Sequence, residues 1–298
     1  MSGSYAVFHK QLGDLILLEP ALAKVREMHG DPVRLITRTG HADLVQLMPG
    51  VTHTSGLAMA PSRTLYCFDP LSKSAVKSLL APVLRRILIR PEQRELNWYH
   101  SRIFSQITTP ELGDQYVAKF FFENTPGPLI SPFRPPRLVR PPSEWAMPTP
   151  RDYILMSPSA GWRRKSWSAS GWAHVAHRLP GPIVLTSGKT DWQVAQCREI
   201  EGMVGSKVTT ISGTKLRDFL WLVANARAVL TVDGAASHLA AAFGVPCLTL
   251  FGFTKMENWF LPQPRHIAMR PPPSADGSYS LKSLDLEDVA SAAERLLY

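Results

Sequence analysis

Cysteine is scarce in this 298-residue chain: Cys67, Cys197 and Cys247 lie far apart, each in apolar surroundings. An odd, dispersed set builds no disulfide framework and has no metal-ligand spacing, so the sequence points to a reducing compartment and implies no metal. No apolar run approaches the ~18 residues of a membrane-crossing helix. The opening residues, MSGSYAVFHKQLGD, lack the apolar region of a signal peptide, which predicts a cytoplasmic chain. Acidic residues are also in deficit. Against 33 Lys and Arg stand 24 Asp and Glu, a net charge of +9. That balance suits an acidic partner, whether nucleic acid, an anionic membrane surface or a phosphorylated substrate; a basic surface without a partner is the alternative. Nucleic acid is set aside, because no recognition helix or aromatic platform pattern accompanies the charge.

What is present is alternation. With 45% hydrophobic residues the chain can bury two cores of ordinary domain size. Short apolar runs predict strands at Tyr5–Lys10, Val33–Thr37 and Leu65–Phe68. Leu15, Leu18, Leu22 and Val25 keep helical spacing in a segment running from Asp14 to about His29. Residues 125–150 hold nine prolines and cannot form a continuous core element, so a linker is expected there. A disordered insertion would leave Leu129, Ile130, Phe133 and Trp145 exposed. Alternation resumes with strands at Tyr153–Met156, Ile183–Thr186, Val208–Ile211, Ala228–Val232 and Cys247–Phe251. Helices should begin near Ser168, Thr190, Thr214 and Ser237, and a last amphipathic helix spans Leu284–Leu297. The fold class is α/β, with doubly wound parallel sheets. The expected organisation is a domain over 1–135, a proline-rich linker over 136–151, a second domain over 152–283 and the terminal helix over 284–298.

In open α/β sheets, ligands bind beyond the carboxyl ends of strands. Four features fall at such ends. Gly13-Asp14 follows the first strand, where Asp14 is either a helix cap or a carboxylate facing a cleft as general base. No Gly-x-Gly-x-x-Gly follows that strand, so a dinucleotide fingerprint is not supported. SPSAGWRRKSW, residues 157–167, joins small residues to Arg163, Arg164 and Lys165, the backbone access and positive charge that a phosphate needs, or simply a solvated basic loop. Asp191 follows Thr186-Ser187-Gly188 and can accept from ribose hydroxyls or cap a helix. Last comes LTVDGAASHLAAAFGVPCLTLFG, Leu230 to Gly252: strand, a loop nearly free of side chains, helix, strand. Such a loop admits an anion to the N–H groups of a helix N-terminus, and it is also what an ordinary βαβ corner with Asp233 or Ser237 as cap looks like.

In this order and spacing, the four features resemble glycosyltransferase family 9, the ADP-heptose:lipopolysaccharide heptosyltransferases. LGDLILLEPALAKVRE matches the N-terminal signature at Gly13, Asp14, Pro20 and Ala21. Ser157-Pro158-Ser159-Ala160 with Lys165-Ser166-Trp167 matches the second signature. DGAASHLAA with Phe251-Gly252-Phe253-Thr254, then Trp259 and Pro262, matches the third. The resemblance implies a GT-B fold, two Rossmann-like domains facing across a cleft, with a C-terminal helix that returns to the first domain and a hinge at the linker. It implies an inverting, metal-independent glycosyltransferase without cofactor, moving a heptose or related sugar from a nucleotide diphosphate donor to a lipopolysaccharide inner-core acceptor. Asp14 would be the general base and Lys165 would neutralise the departing diphosphate. Ser159, Ala160, Asp191, Asp233, Gly234, Ala235 and His238 would complete the donor site. Two positions depart from the family: Gly234-Ala235 replaces Thr/Ser-Gly, and Ser159 replaces glycine.

The acceptor side is legible only as charge. Lys77, Arg85, Arg86, Arg90, Arg94 and Arg102 outnumber Glu92 and Glu95 between Ser74 and Arg102. Arg85, Arg86 and Arg90 are the candidate contacts to an anionic glycolipid acceptor and to an anionic inner-membrane surface, unless the run is only a solvated helix face. Transfer of another sugar in envelope polysaccharide assembly, or a non-catalytic nucleotide-sugar-binding protein of the same fold, are the competing readings.

Overall fold

The short apolar runs pair into two six-stranded sheets in which every neighbouring pair is parallel. The computed structural model describes residues 3–54, 61–68, 80, 82–92 and 98–297. The chain divides into two units, Met1–Val139 and Arg140–Tyr298, with one sheet in each.

The first unit runs β1 (Ser4–Val7), α1 (Leu12–Leu17), α2 (Glu19–His29), β2 (Val33–Ile36), α3 (Ala42–Gln46), β3 (Val51–Thr54), β4 (Ser62–Phe68), β5 (Val83–Ile89), α4 (His100–Ile103), β6 (Gln106–Thr108) and α5 (Val117–Asn124). Its strand order is β3-β2-β1-β4-β5-β6. Tyr5, Val7, Ile36, Leu65, Cys67, Leu88 and Phe104 pack as a core cluster on this sheet. The helix expected from Asp14 to His29 is two helices, which break at Leu18. Pro20 is the cause: it has no N–H, and its ring crowds the carbonyl four residues back. Leu18 N–H turns instead to Leu15 O at 3.2 Å. Gly30, at φ 71°, then ends α2 with its N–H on Arg26 O.

Lys24 of α2 is 5% exposed, and its ammonium bonds the carbonyls of Phe122 (3.1 Å) and Thr125 (2.7 Å) at the end of α5. It thereby serves as a C-cap supplied by another helix. Burial pushes its pKa down, and nearby Glu123 partly opposes the shift.

The second unit runs β7 (Ile154–Ser157), α6 (Ala169–Arg178), β8 (Ile183–Ser187), α7 (Asp191–Val204), β9 (Val208–Ser212), α8 (Leu216–Ala224), β10 (Ala228–Val232), α9 (Ala235–Phe243), β11 (Cys247–Leu250), α10 (Met256–Trp259), β12 (His266–Met269) and α11 (Leu286–Leu297). Read from its β9 edge, the order β9-β8-β7-β10-β11-β12 repeats the first sheet's order with each strand's number raised by six. Both sheets therefore have the 3-2-1-4-5-6 arrangement of nucleotide-binding α/β folds. Strand β10 matches its expected span residue for residue. Ser168 caps α6 as expected, its hydroxyl accepting from Gly171 N–H at 3.1 Å.

Helix α11, expected to return to the first domain, is grouped with the second unit. Its apolar face joins Trp172 and Val175 of α6 and Leu248 of β11 in one core cluster. Arg178 of α6 bonds Glu287 and Glu294 across the same contact.

The proline-rich stretch is held by side chains at both ends. Glu19, 1% exposed, takes both guanidinium nitrogens of Arg134 at 2.8 Å and the N–H of Arg137 at 3.0 Å. Phe133 lies against Tyr116 and Phe122, while Trp145 is buried with the Arg217 guanidinium over its ring. Leu129 and Ile130 are exposed all the same, at 67% and 57%. They occupy the span between the anchored Thr125 and Phe133, where proline withholds the donors that would tie the chain down. Arg134 keeps 31% of its side-chain surface, so the bidentate pair falls between the surface and buried limits. Glu19→Ala is expected to lower the unfolding free energy by about 2–3 kcal/mol. Urea denaturation measures this, and a change below about 0.5 kcal/mol would show that Glu19 does not hold the strap.

Among the described residues no helix is long and apolar enough to cross a membrane. The three cysteines are free and buried.

Candidate functional site

In the second sheet β7 and β10 are neighbours whose connections lead to opposite edges, which opens a crevice at their carboxyl ends. Both loops that border it carry charge. After β7, residues 158–168 include a single 3-10 turn, Arg163–Lys165, which directs Lys165 back toward β10. Its Nζ meets Asp233 Oδ2 at 2.6 Å. Thr254 Oγ1, after β11, donates to the same carboxylate oxygen at 2.8 Å. Asp233 is 3% exposed, and its backbone N–H bonds Leu250 O at 3.0 Å. A buried carboxylate needs such partners. It joins the loops after β7, β10 and β11 in one cluster.

Gly234 is the N-cap of α9, so the helix starts at Ala235 rather than at the expected Ser237. Ser237 lies one turn inside and returns its hydroxyl to Gly234 O at 2.8 Å. A Cβ on Gly234 would come within 3.2 Å of Ala160 Cβ. Absence of a side chain is what lets the two loops touch. His238 is 6% exposed, with its ring 6.2 Å from that of Trp259. Ser159 is 8% exposed, and its Oγ has no hydrogen-bond partner among the described residues.

Across β7 lies the loop after β8. Asp191 opens α7 and is exposed, and Thr190 is the cap residue. The buried Gln193 bridges the loops: its Nε2 donates to Ala160 O at 3.0 Å and its Oε1 accepts from Thr190 Oγ1 at 2.7 Å. Sequence reasoning passed over Gln193, although Thr190-x-x-Gln193 has capping-box spacing and could have revealed it. It also passed over the side chain of Trp162. This residue is 58% exposed and stacks parallel to Phe253, with centroids 6.0 Å apart and planes at 2°.

Asp14, on the first unit, sits in the first turn of α1, whose cap residue is Gln11. It is not a capping residue, and its half-buried carboxylate has no hydrogen-bond or ion-pair partner among the described residues. The basic run reads differently in the structure. Arg85 and Arg86 lie on β5, where alternation sends successive side chains to opposite faces, so a shared helix face is excluded for them. Arg85 is exposed and bonds Gln106 Oε1, whereas Arg90 is 5% exposed at the end of β5. Arg102 lies over the exposed ring of Trp98. Lys77, Arg94 and Glu95 lie outside the described residues. Among the described residues no group of three or more His, Cys, Asp or Glu side chains is placed to hold a metal.

Residues 138–274 match the sequence model of glycosyltransferase family 9 (heptosyltransferase). That segment, a little under half of the chain, is similar to glycosyltransferase family 9. Lipopolysaccharide heptosyltransferase 3 of Escherichia coli is 30% identical over 114 residues, 37% of this chain and 34% of that protein. The match thus spans about a third of the curated relative's length. Solved structures show the same fold over almost the whole chain. The E. coli ADP-heptose lipopolysaccharide heptosyltransferase II superposes with a TM-score of 0.81 at 17% identity, covering 100% of this chain and 98% of that one. A family 9 glycosyl transferase from Veillonella parvula gives 0.84 at 16% identity, covering 99% and 97%. The fold is GT-B. The matched segment contains Ser159, Ala160, Lys165, Asp191, Asp233, Gly234, Ala235 and His238, while Asp14, Arg85, Arg86 and Arg90 precede it.

Proposed function

We propose that this chain is an inverting glycosyltransferase of family 9. It would move a heptose or related sugar from a nucleotide diphosphate donor, ADP-heptose first among the candidates, to a lipopolysaccharide inner-core acceptor. The observation that carries the reading is the Lys165–Asp233 ion pair at the crevice of the second sheet, beside the open N-terminus of α9. A diphosphate entering there meets a cation and unpaired helix N–H groups together, the combination that stabilises a departing anion.

In the reaction, the acceptor hydroxyl attacks the anomeric carbon from the face opposite the diphosphate. The new C–O bond forms as the bond to phosphate breaks, so configuration inverts. Asp14 takes the hydroxyl proton. Lys165 and the N–H groups at Gly234 and Ala235 take the charge that develops on the diphosphate, with His238 beside them. Asp233 holds Lys165 and the loop in place. Asp191 accepts from the ribose hydroxyls, and Ser159 and Ala160 line the phosphates. Because Lys165 and the helix N-terminus supply positive charge, no metal is required, and turnover in EDTA should match turnover without it.

Arg85 and Arg86 would attract a phosphorylated or carboxylated acceptor and the anionic inner-membrane surface that carries it. Arg90, 5% exposed just after β5, is too buried to take part in that attraction as the first unit stands. The positions where the chain departs from the family favour one alternative, a different donor sugar in envelope polysaccharide assembly.

The test is a panel of ADP-, GDP- and UDP-sugars read by thermal shift and by acceptor-dependent release of nucleoside diphosphate. One donor class should raise Tm and release its nucleoside diphosphate when a core acceptor is added. If none of the three classes binds, the reading fails; if one binds tightly and no transfer occurs with any acceptor, the chain is a binding protein.

A further inference from the structure

Beside the Lys165–Asp233 pair stands a second cluster that the proposed chemistry does not use. Trp162 projects from the loop after β7, and Phe253 lies directly after β11. Their rings are parallel, and Arg164 lies across both, its guanidinium carbon 3.8 Å from the Phe253 centroid and 5.0 Å from that of Trp162. Lys165 Nζ is 5.9 Å from the same Phe253 ring. A large indole that stays 58% exposed does not serve the core. Packing on two rings fixes the guanidinium plane, and because Arg164 is exposed its in-plane N–H donors stay available to a ligand.

The place of the cluster in the sheet says which part of a donor it meets. Strands β8, β7, β10 and β11 are consecutive. At about 4.8 Å per step, the ends of β8 and β11 lie about 14 Å apart. Asp191 follows β8 on one flank, Phe253 follows β11 on the other, and Lys165 and Asp233 stand between them. On the reading above, which this inference requires, the diphosphate occupies the middle and the nucleoside the β8 flank. We infer that Trp162, Arg164 and Phe253 form the subsite for the transferred sugar, a pyranose whose apolar C–H face rests on the exposed indole while its hydroxyls take the Arg164 donors. A pyranose has both surfaces, and an aromatic platform edged by a fixed guanidinium complements both.

The test compares two ligands by titration calorimetry: the nucleotide sugar found in the donor panel, and its nucleoside diphosphate alone. Trp162→Ala should weaken the nucleotide sugar about tenfold and leave the nucleoside diphosphate within about twofold, and Trp162→Phe should recover most of the loss. Arg164→Ala should weaken the nucleotide sugar in the same selective way. Lys165→Ala is the control that weakens both ligands. Equal weakening of both ligands by Trp162→Ala would overturn the inference, since it would place the indole against the nucleoside or in the loop's own scaffold. Unchanged affinity for both would overturn it too. If the wild-type protein binds neither the nucleoside diphosphates nor the nucleotide sugars of the panel, the glycosyltransferase reading itself has failed, and this one with it.

Discussion

Asp14→Asn should reduce kcat by about 10²–10⁴-fold while leaving the donor's Kd unchanged, the span expected when a general base is removed. The geometry makes this a clean measurement. Asp14 caps nothing, and its carboxylate has no partner among the described residues, so the substitution breaks no ion pair among them. Removing a negative charge from the first turn of a helix costs only about 0.3–1 kcal/mol of stability. Asparagine keeps the shape and cannot take the proton. Single-turnover transfer with saturating donor reads the effect, and turnover within about threefold of wild type would remove Asp14 from the mechanism.

Lys165→Ala should lower kcat by about 10²–10³-fold, the range for losing one fixed donor to a developing anion. Here folding and chemistry are entangled. Lys165 is a partner of a carboxylate only 4% exposed, so alanine leaves Asp233 with the Thr254 hydroxyl and the variant loses stability. Lys165→Arg separates the two effects. It restores the positive partner to Asp233 and hence the melting temperature, but its longer planar head cannot occupy the position of the ammonium. Activity should therefore stay about tenfold or more below wild type while stability returns. If Lys165→Arg recovers full turnover, the residue is a structural cation; if Lys165→Ala keeps wild-type turnover, the diphosphate is neutralised elsewhere.

How much was legible depended on whether a residue's surroundings are local. The strands of the second unit are uniform apolar runs flanked by small residues, so β8, β10 and β11 read cleanly. Edge strands do not: Gln106–Thr108 is three residues long, and His266–Met269 is half-buried throughout. Neither carries a periodic pattern. Val83–Ile89 was obscured by Arg85 and Arg86, which look like a basic surface until the flanking strands place them on a sheet. Helix α5, VAKFFFEN, is apolar on most sides and shows no clear stripe. Lys165 and Asp233 were each visible, because phosphate chemistry selects residue types near strand ends. Their 2.6 Å contact, across 68 positions of sequence, depends on the strand order and was not. The aromatic pair of Trp162 and Phe253 was hidden for the same reason.

The contact between Ala160 and Gly234 constrains the routes by which this chain can change. The hydroxyl that the family 9 resemblance implies directly after the loop aspartate would have to be introduced at position 234, where even a methyl group presses on Ala160 Cβ at 3.2 Å. Ala160 is itself held by Gln193 through its carbonyl, so the backbone there has little freedom to yield. Mutational order then matters: Gly234→Ser is obstructed while Ala160 is present and becomes open once Ala160→Gly has occurred. The two positions are coupled, and placing a hydroxyl in this loop would need both steps, in that sequence.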